Sequence, residues 1–256
     1  MTNHNNNVDI CTIPVSNLNN DQEALSMIES QLKIYSKLKL FFINAHVVNV
    51  AYFNKKLQQV LRSPSINFAD GIGLWIAGKL LYQISLKNFN GTDFGITILE
   101  WCARNNLNVF FFGATEGIAK EAKIKIENNI VGLKIVGTHP GKIDNDRQKE
   151  EIINKINSSG THVLYVCLGV PKQEIWIHEN IDKLNIKLAL GLGAFFDFHA
   201  KKIKRAPTFM RVIRMEWLYR LYKEPKRLFI RYVLGNPFFL INVLIYKIQI
   251  SFRKKT

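Results

Sequence analysis

Asp70 is the carboxylate whose sequence setting best suits proton transfer. It follows an apolar run, Ile66–Ala69, and precedes Gly71–Ile72–Gly73, where glycine lets a ligand approach the backbone closely. A carboxylate at the carboxyl end of a strand can act as a general base toward a substrate hydroxyl within hydrogen-bonding reach. The spacing leaves open the alternative that Asp70 only caps a helix over Gly71–Ile84.

A second candidate region is Val163–Trp176. An apolar run is followed by Gly169–Val170–Pro171 and then by Lys172–Gln173–Glu174, the order expected of a buried strand, a loop and a helix start. The start of a helix offers unpaired N–H groups and partial positive charge to an anion. We therefore expect this stretch to form the phosphate side of a ligand site, with an ordinary strand–helix connection as the alternative.

Other polar residues allow fewer conclusions. Asp197 follows a predicted strand and could hold a ribose or sugar hydroxyl, or it could pair with Lys201 or Arg205. The histidines His46, His139 and His199 are too scattered to indicate a metal site, so each is expected to be a hydrogen-bonded loop residue.

Several enzyme classes are excluded by missing motifs. The stretch Gly191–Leu192–Gly193 lacks the third glycine of a dinucleotide fingerprint and comes late in the chain. The sequence has no Gly-Lys-Ser/Thr phosphate loop, no His-Glu-x-x-His and no Gly-x-Ser-x-Gly. These absences argue against an NAD enzyme, a phosphate-loop hydrolase, a zinc protease and a serine hydrolase.

The elements that would position these residues alternate between strand and helix. With 256 residues and 47% hydrophobic content, the chain can bury a large α/β core. The pattern predicts a doubly wound, mostly parallel, Rossmann-like sheet of about six strands. The predicted strands are Leu38–Ile43, Ile66–Ala69, Val109–Phe112, Leu133–Gly137, the run from Val163, and Leu188–Leu190. One predicted helix starts at Asp21. The other predicted helices span Val47–Leu61, Leu74–Ile84, Phe94–Arg104, Glu116–Asn128 and Asn145–Asn157.

Positive charge is concentrated near the C-terminus. Residues 201–256 hold 15 Lys and Arg against Glu216 and Glu224, which gives +13 of the total net charge of +15. We therefore divide the chain into an α/β domain, residues 1–204, and a basic helical appendage, residues 205–256. Such an appendage suits an anionic partner: a nucleic acid, an anionic lipid or a phosphorylated substrate.

The appendage has the pattern of a membrane-surface segment. Thr208–Tyr222 predicts a basic amphipathic helix. Tyr232–Tyr246 is a run of 15 uncharged residues interrupted by Gly235–Asn236–Pro237, shorter than the ~18 apolar residues expected of a membrane-spanning helix. An interfacial segment on an anionic leaflet is therefore predicted, with a helical hairpin packed on the core as the alternative.

Cysteine usage and the first residues indicate a cytosolic setting. The three cysteines, Cys11, Cys102 and Cys167, are too few and too scattered for a disulfide framework. Met1–Val8 is polar, with no basic stretch leading into an apolar core, so no signal peptide is expected.

A set of short motifs, taken in order, resembles the WecG/TagA/CpsF family of bacterial glycosyltransferases. The resemblance extends from about Asp9 to about Tyr232, and each motif is weak by itself. The motifs are Asn44–Ala45, Ala69–Gly73, Gly91–Asp93, Phe111–Gly113, Leu168–Glu174, Gly191–Asp197, Arg205–Pro207 and Glu216–Leu221.

The resemblance implies an inverting transferase that needs no metal or other cofactor. Its donor would be a UDP-N-acetylhexosamine, typically UDP-N-acetylmannosamine, and its acceptor a sugar linked to polyprenyl diphosphate. The products of such enzymes enter wall teichoic acid, enterobacterial common antigen or capsule. The protein would then be peripheral, on the cytoplasmic face of the bacterial plasma membrane, with the appendage on its anionic surface. The sequence leaves homo-oligomerisation open.

The family's functional residues can be matched onto this chain. Asp70 corresponds to the proposed base and Asn44 to a neighbouring residue that positions the substrate. The tail arginines Arg220, Arg227 and Arg231 would close over the diphosphate. The full expected substrate-binding set is Gln173, Gly71, Gly113, Gly193, Asp197, Arg205, Arg220, Arg227 and Arg231.

The chain departs from the family pattern at four positions that bear on specificity. Phe42 replaces a frequent Thr, Asn88 a frequent Arg, Lys142 a Tyr and Lys201 a Gly. Phe42 and Asn88 keep open the alternative of a catalytically inactive nucleotide-sugar binder.

The other alternative is a nucleic-acid-binding protein that uses the basic tail. The aromatic residues Phe238, Phe239 and Tyr246 lie within apolar runs and are not interleaved with basic residues, as base-stacking platforms require. We therefore expect no nucleic-acid partner.

Overall fold

The strands of the protein form one mixed sheet. A computed structural model describes residues 7–212 and 215–253. In chain order the strands are β1 (Asn7–Ile10), β2 (Ile13–Ser16), β3 (Leu38–Ile43), β4 (Ile66–Ala69), β5 (Asn108–Gly113), β6 (Lys134–His139), β7 (Val163–Cys167) and β8 (Leu188–Gly191). They lie in the order β1-β2-β4-β3-β8-β7-β5-β6, and every neighbouring pair is parallel except β1–β2. The predicted α/β, mostly parallel fold is confirmed.

The expected strand number was wrong because the first two strands were missed. The sheet has eight strands, where about six were expected. β1 and β2 form a hairpin whose loop residues, Cys11 and Thr12, have φ angles of 49° and 72°. Asn-Gly or Asp-Gly usually occupies such positions, so Cys-Thr gave no turn signal.

Helices cover both faces of the sheet and bury two cores. One face is covered by α1 (Asp21–Ile34), α5 (Gly91–Arg104), α6 (Ile118–Glu127) and α9 (Phe195–His199). The other is covered by α2 (Ala45–Phe53), α3 (Lys55–Arg62), α4 (Gly71–Tyr82), α7 (Asp146–Ser158) and α8 (Lys172–Asn180). Because both faces are covered, the central strands β7 and β8 are apolar throughout rather than alternating.

Two helix starts differ from the sequence-based expectation. The predicted helix Val47–Leu61 is two helices, because Asn54 ends α2 and its side chain caps α3 by accepting from Leu57 N. Asn20, not Asp21, caps α1 by accepting from Glu23 N. Both caps are asparagines, whose short side chains compete with helix continuation and favour helix ends.

The C-terminal segment is almost entirely helical. It contains α10 (Thr208–Val212), α11 (Glu216–Lys223), α12 (Pro225–Phe229), a π-helical turn (Ile230–Leu234) and α13 (Gly235–Arg253). The predicted single helix Thr208–Tyr222 is thus two helices, and Ile213 and Arg214 between them lie outside the described residues.

The expected interruption at Gly235–Asn236–Pro237 is also wrong. Pro237 falls in the first turn of α13, which continues directly from the π-helical turn Ile230–Leu234. The helical run Pro225–Phe252 has 28 residues and is long and apolar enough to cross a membrane by length and composition. The uncharged run Tyr232–Tyr246 is therefore shorter than the apolar helix that contains it.

One face of α13 packs on the body of the protein. Phe239 and Val243 are buried in the same core as α2 and α4. Asn49 Nδ2 in α2 donates a hydrogen bond to Gly235 O at 2.6 Å. Along this face, α13 therefore packs on the core, which was the alternative to an interfacial segment.

Candidate active site

A cavity of about 560 Å³ lies at the carboxyl ends of β4, β3, β8 and β7. These four strands are neighbours in the sheet, so the loops that follow them meet at one edge, the usual ligand site of an open α/β sheet. Residues of α11, α12 and the π-helical turn line its other side. The volume is within the range of small-molecule sites.

Asp70 and Asn44 meet because β4 and β3 are adjacent. Asn44 Oδ1 caps α2 by accepting from Val47 N at 3.1 Å, which fixes the amide group. Its Nδ2 donates to Asp70 Oδ2 at 3.3 Å. Asp70 occupies the N-cap position of α4, but its side chain makes no capping hydrogen bond. The carboxylate is therefore available to a ligand, and the helix-cap alternative does not account for it.

The surroundings of Asp70 make it a stronger base than an exposed aspartate. Its pKa is raised to about 6: burial is the largest cause and Glu216 adds to it, while the hydrogen bond from Asn44 and the charges of Arg231 and Arg220 act in the opposite direction. A carboxyl group with this pKa is ionised near pH 7 and still has useful proton affinity.

The backbone after Asp70 is held by Asn88, one of the departures from the family pattern. Gly71 N donates to Asn88 Oδ1 at 2.6 Å, and both residues line the cavity. Gly71 has φ = +81°, a conformation that residues with a Cβ rarely adopt. Asn88 therefore fixes the first turn of α4 in place of an arginine charge. Phe42, another departure, packs against Phe68 and Phe94 and also lines the cavity.

Gln173 forms the opposite wall, at the start of α8. Its Oε1 accepts from Gly193 N at 2.9 Å, and its Nε2 donates to Glu174 Oε1 at 2.8 Å. Gly193, with φ = +59°, belongs to the loop between β8 and α9 and also lines the cavity. The amide thus ties two cavity loops together.

Four arginines of the C-terminal segment line the cavity: Arg211 on α10, Arg220 on α11, Arg227 on α12 and Arg231 on the π-helical turn. Arg227 Nε pairs with Glu224 at 2.6 Å. Among the described residues, the buried Nε atoms of Arg220 and Arg231 have no hydrogen-bond partner. Unpaired buried donors and positive charge suit a diphosphate.

The structure separates the remaining expected site residues. Asp197 lies on α9 and lines the cavity; burial raises its pKa, while Lys202 and Arg227 lower it. Arg205 lies outside the cavity lining and pairs with Asp93 through both terminal nitrogens. The alternative that Asp197 pairs with Arg205 is therefore not realised.

Gly113 also lies outside the lining. A Cβ on it would collide with the backbone of Cys167. The presence of glycine at position 113 is explained by the close approach of β5 and β7.

Sequence reasoning assigned no site role to several polar residues of the cavity, among them Arg211, Glu216 and His46. Glu216 is close enough to raise the pKa of Asp70. Its place in the motif Glu216–Leu221 is the sequence signal that could have identified it. His46, expected in a loop, lies on α2 and lines the cavity, and burial and then Arg231 lower its pKa to about 4. His46 is thus neutral near pH 7. Within residues 7–212 and 215–253, no cluster of His, Cys, Asp and Glu suitable for a metal ion is found.

Comparisons with known proteins agree with this geometry. A sequence model described as "Glycosyl transferase WecG/TagA/CpsF family" matches residues 8–253. The chain is also similar to the Bacillus spizizenii protein named N-acetylglucosaminyldiphosphoundecaprenol N-acetyl-beta-D-mannosaminyltransferase. The two are 31% identical over 191 residues, a stretch that covers 75% of this chain and 72% of that protein. The predicted family and enzyme class are confirmed: the chain belongs to the WecG/TagA/CpsF family and is a glycosyltransferase.

Proposed function

We propose that the chain transfers N-acetylmannosamine or a related N-acetylhexosamine from a UDP donor to a sugar linked to polyprenyl diphosphate. The product would enter a cell-surface polysaccharide or teichoic acid. The name of the Bacillus spizizenii relative supports the sugar and the lipid-linked acceptor. The observation that carries the proposal is the Asp70 carboxylate, which faces the cavity without a capping bond and beside Asn44.

The proposed reaction is a single in-line displacement with inversion. Asp70 accepts the proton of the acceptor hydroxyl, the hydroxyl oxygen bonds to the anomeric carbon of the donor, and the bond from that carbon to UDP breaks. Asn44 holds the carboxylate through the hydrogen bond to its Oδ2. A base of this kind typically contributes roughly 10²–10⁴-fold in rate.

The departing UDP requires stabilisation of its growing negative charge. We assign this role to Arg220, Arg227 and Arg231, which line the cavity. Arginine binds phosphate oxygens through several N–H groups in a fixed geometry. The proposed reaction needs no metal ion, since guanidinium groups supply the charge stabilisation.

A polyprenyl-linked acceptor is embedded in a membrane, and the tail has a surface suited to meet it. Ile241, Leu244, Ile248 and Phe252 on α13 have side chains that are 54%, 48%, 57% and 69% exposed. Their spacing places them on one helix face, opposite the face that buries Phe239. We name these four residues the apolar stripe.

An aromatic cluster continues the apolar stripe onto the body of the protein. Phe238 stacks on Phe53 with ring centroids 5.4 Å apart and meets Tyr52 edge-on at 5.6 Å. Tyr52 and Phe53 are 61% and 75% exposed. Aromatic side chains of this kind favour membrane–water interfaces.

The packing of α13 favours a helix in the plane of the membrane over one that crosses it. The helix is held against the body by Asn49 at its start and by buried Val243 farther along. A helix bound side-on to α2 and α4 cannot be surrounded by lipid over this length. We therefore propose a peripheral protein whose apolar stripe enters the cytoplasmic leaflet, with the net charge of residues 201–256 attracting anionic headgroups.

The function is tested by a screen of UDP-sugars with a short-chain prenyl-diphosphate-GlcNAc acceptor and mass-spectrometric detection. We expect transfer of an N-acetylhexosamine, with UDP-N-acetylmannosamine preferred, both with Mg²⁺ and with EDTA. Nucleotide binding without transfer from any UDP-sugar would instead support the inactive-binder alternative. Loss of transfer in EDTA alone would contradict the metal-free mechanism.

A further inference from the structure

Glu174 is a buried acidic residue that the proposed reaction does not use. It lies in the first turn of α8 and is 1% exposed. Its Oε1 accepts from Gln173 Nε2, while its Oε2 has no hydrogen-bond partner among the described residues. Burial raises its pKa to about 7. Burial with so few partners is unfavourable for the ionised form of an acidic group, so the question is what its side chain does.

The hydrogen bonds of Gln173 indicate what that side chain does. Gln173 Oε1 must accept from Gly193 N, and Gln173 Nε2 must face the Glu174 oxygen. Rotating the amide by 180° would set Gln173 Oε1 against a carboxylate oxygen and Nε2 against the N–H of Gly193. Both contacts would then be repulsive, because each would join two acceptors or two donors. Glu174 thus selects one of the two orientations of the amide.

That orientation determines what Gln173 can offer to a ligand. One Nε2 hydrogen is taken by Glu174, and one acceptor site on Oε1 is taken by Gly193 N. Because Gln173 lines the cavity and Glu174 does not, the second Nε2 hydrogen is the donor left for a ligand. The same contacts hold the loop after β8 against α8.

We propose that Glu174 is a positioning residue for sugar transfer, which fixes the Gln173 amide so that its second Nε2 hydrogen is presented to the nucleotide-sugar donor. This role rests on the proposed function for the identity of the donor. It concerns donor binding and not proton transfer, which belongs to Asp70.

The test compares Glu174→Leu, Glu174→Gln and Gln173→Leu, alone and combined, by calorimetric binding of UDP-N-acetylmannosamine and by steady-state transfer. Glu174→Leu should raise the donor Kd and KM about tenfold or more, with a smaller effect on kcat. Glu174→Gln keeps an acceptor oxygen for Gln173 Nε2 and should restore Kd to within about threefold. Adding Glu174→Leu to Gln173→Leu should cause little further loss, because the positioned amide is already gone.

Asn180→Leu is the matched control. Asn180 is a fully buried polar residue of the same helix, lies outside the cavity lining and also has an unpartnered side-chain oxygen. Its replacement should change thermal stability but leave the donor Kd unchanged. Additive effects of the Gln173 and Glu174 variants, or an unchanged donor Kd in Glu174→Leu, would overturn the proposal.

A ligand-free measurement separates this inference from the proposed function. The side-chain amide NMR signals of Gln173 should be shifted from their random-coil positions and protected from exchange with water in the wild type and in Glu174→Gln. In Glu174→Leu they should move toward random-coil positions and exchange faster with water. If wild-type protein does not bind UDP-N-acetylmannosamine, the proposed donor is wrong. Random-coil, rapidly exchanging Gln173 side-chain signals in the wild type would refute the fixed amide whatever the donor.

Discussion

Asp70 differs from the other cavity carboxylates in what surrounds it. Its hydrogen-bond partner is the neutral amide of Asn44. Glu216 lies 3.8 Å from Arg205 Nη2, and Asp197 interacts with Lys202 and Arg227. Burial raises the pKa of Asp70 to about 6. Burial also raises the pKa of Asp197, but the charges of Lys202 and Arg227 lower it. Asp70, whose carboxylate is held by a neutral amide at a strand end, is therefore our candidate for the group that accepts the proton.

The first residue-scale prediction concerns the loss of this base. Asp70→Asn keeps the size of the side chain but cannot accept the proton, so kcat should fall roughly 10²–10⁴-fold. Donor binding, measured calorimetrically, should stay within a few-fold of wild type. Transfer within a few-fold of wild type would show that another group is the base.

The pH dependence of transfer follows from the same carboxyl group. The pKa of Asp70 is raised to about 6, and the base must be ionised to act. As pH falls through about 6, log(kcat/KM) should therefore decline with unit slope, and it should level off above that pH. The measurement is a pH profile at saturating acceptor. An acid limb near the usual aspartate pKa of about 4 would contradict the assignment.

At the scale of elements, α13 combines two opposed faces. One face buries Phe239 and Val243 against α2 and α4, and the other presents the apolar stripe. Soluble surface helices rarely leave such a stripe uncovered. The two faces together explain how a helix long enough to cross a membrane can instead lie along one.

The apolar stripe predicts the outcome of charge substitution on α13. Ile241→Glu combined with Ile248→Glu should abolish flotation with vesicles containing anionic lipid, because both side chains would leave the apolar phase. Gln249→Glu with Ser251→Glu adds the same charge to the same helix outside the stripe and should retain most binding.

Carbonate extraction distinguishes the two orientations of α13. Alkaline carbonate should release the wild-type protein from membranes, as expected of a peripheral protein. Resistance to extraction would indicate a spanning helix. Equal binding losses in both charge variants would indicate that total charge, not the stripe, determines attachment.

At the scale of the whole molecule, the site is closed by parts that are far apart in the sequence. Strand ends supply Asp70 and Gln173, and the C-terminal segment supplies Arg220 and Arg231. Because this segment also carries the apolar stripe, the proposed membrane binding and the completion of the cavity would involve the same C-terminal segment. Deleting it would expose the core around Phe239, so point variants test its catalytic role more cleanly.

We predict that Arg220→Gln with Arg231→Gln lowers kcat/KM by about 10²-fold or more on a water-soluble acceptor, since the departing diphosphate loses charge stabilisation. The acid limb of the pH profile should also move to higher pH, because both arginines lower the pKa of Asp70. Lys223→Gln with Lys226→Gln removes the same charge outside the cavity lining and should change neither quantity appreciably. Similar losses in both double variants would show that the effect depends only on net charge.

Local patterns in the sequence identified most of the elements but not all of them, and not all of their partners. The apolar runs β3, β4, β5, β7 and β8, each bounded by polar or glycine residues, predicted a parallel sheet with Asp70, Asn44 and Gln173 at strand ends. The β1–β2 hairpin and the continuity of α13 were missed, because unusual turn residues and a proline in a first turn carry misleading local signals. Arg205, assigned to the substrate, instead pairs with Asp93.

The sequence by itself determined the α/β class, the polar residues at strand ends and the basic tail, since periodicity and charge are local properties. Only the tertiary structure decided that Asn44 lies beside Asp70, that Glu216 faces the same cavity and that one side of α13 is buried. These relations depend on strand order and on packing between distant segments, which local periodicity does not encode. The orientation of the Gln173 amide is also decided by the tertiary structure, because it depends on Gly193, which follows the next strand of the sheet.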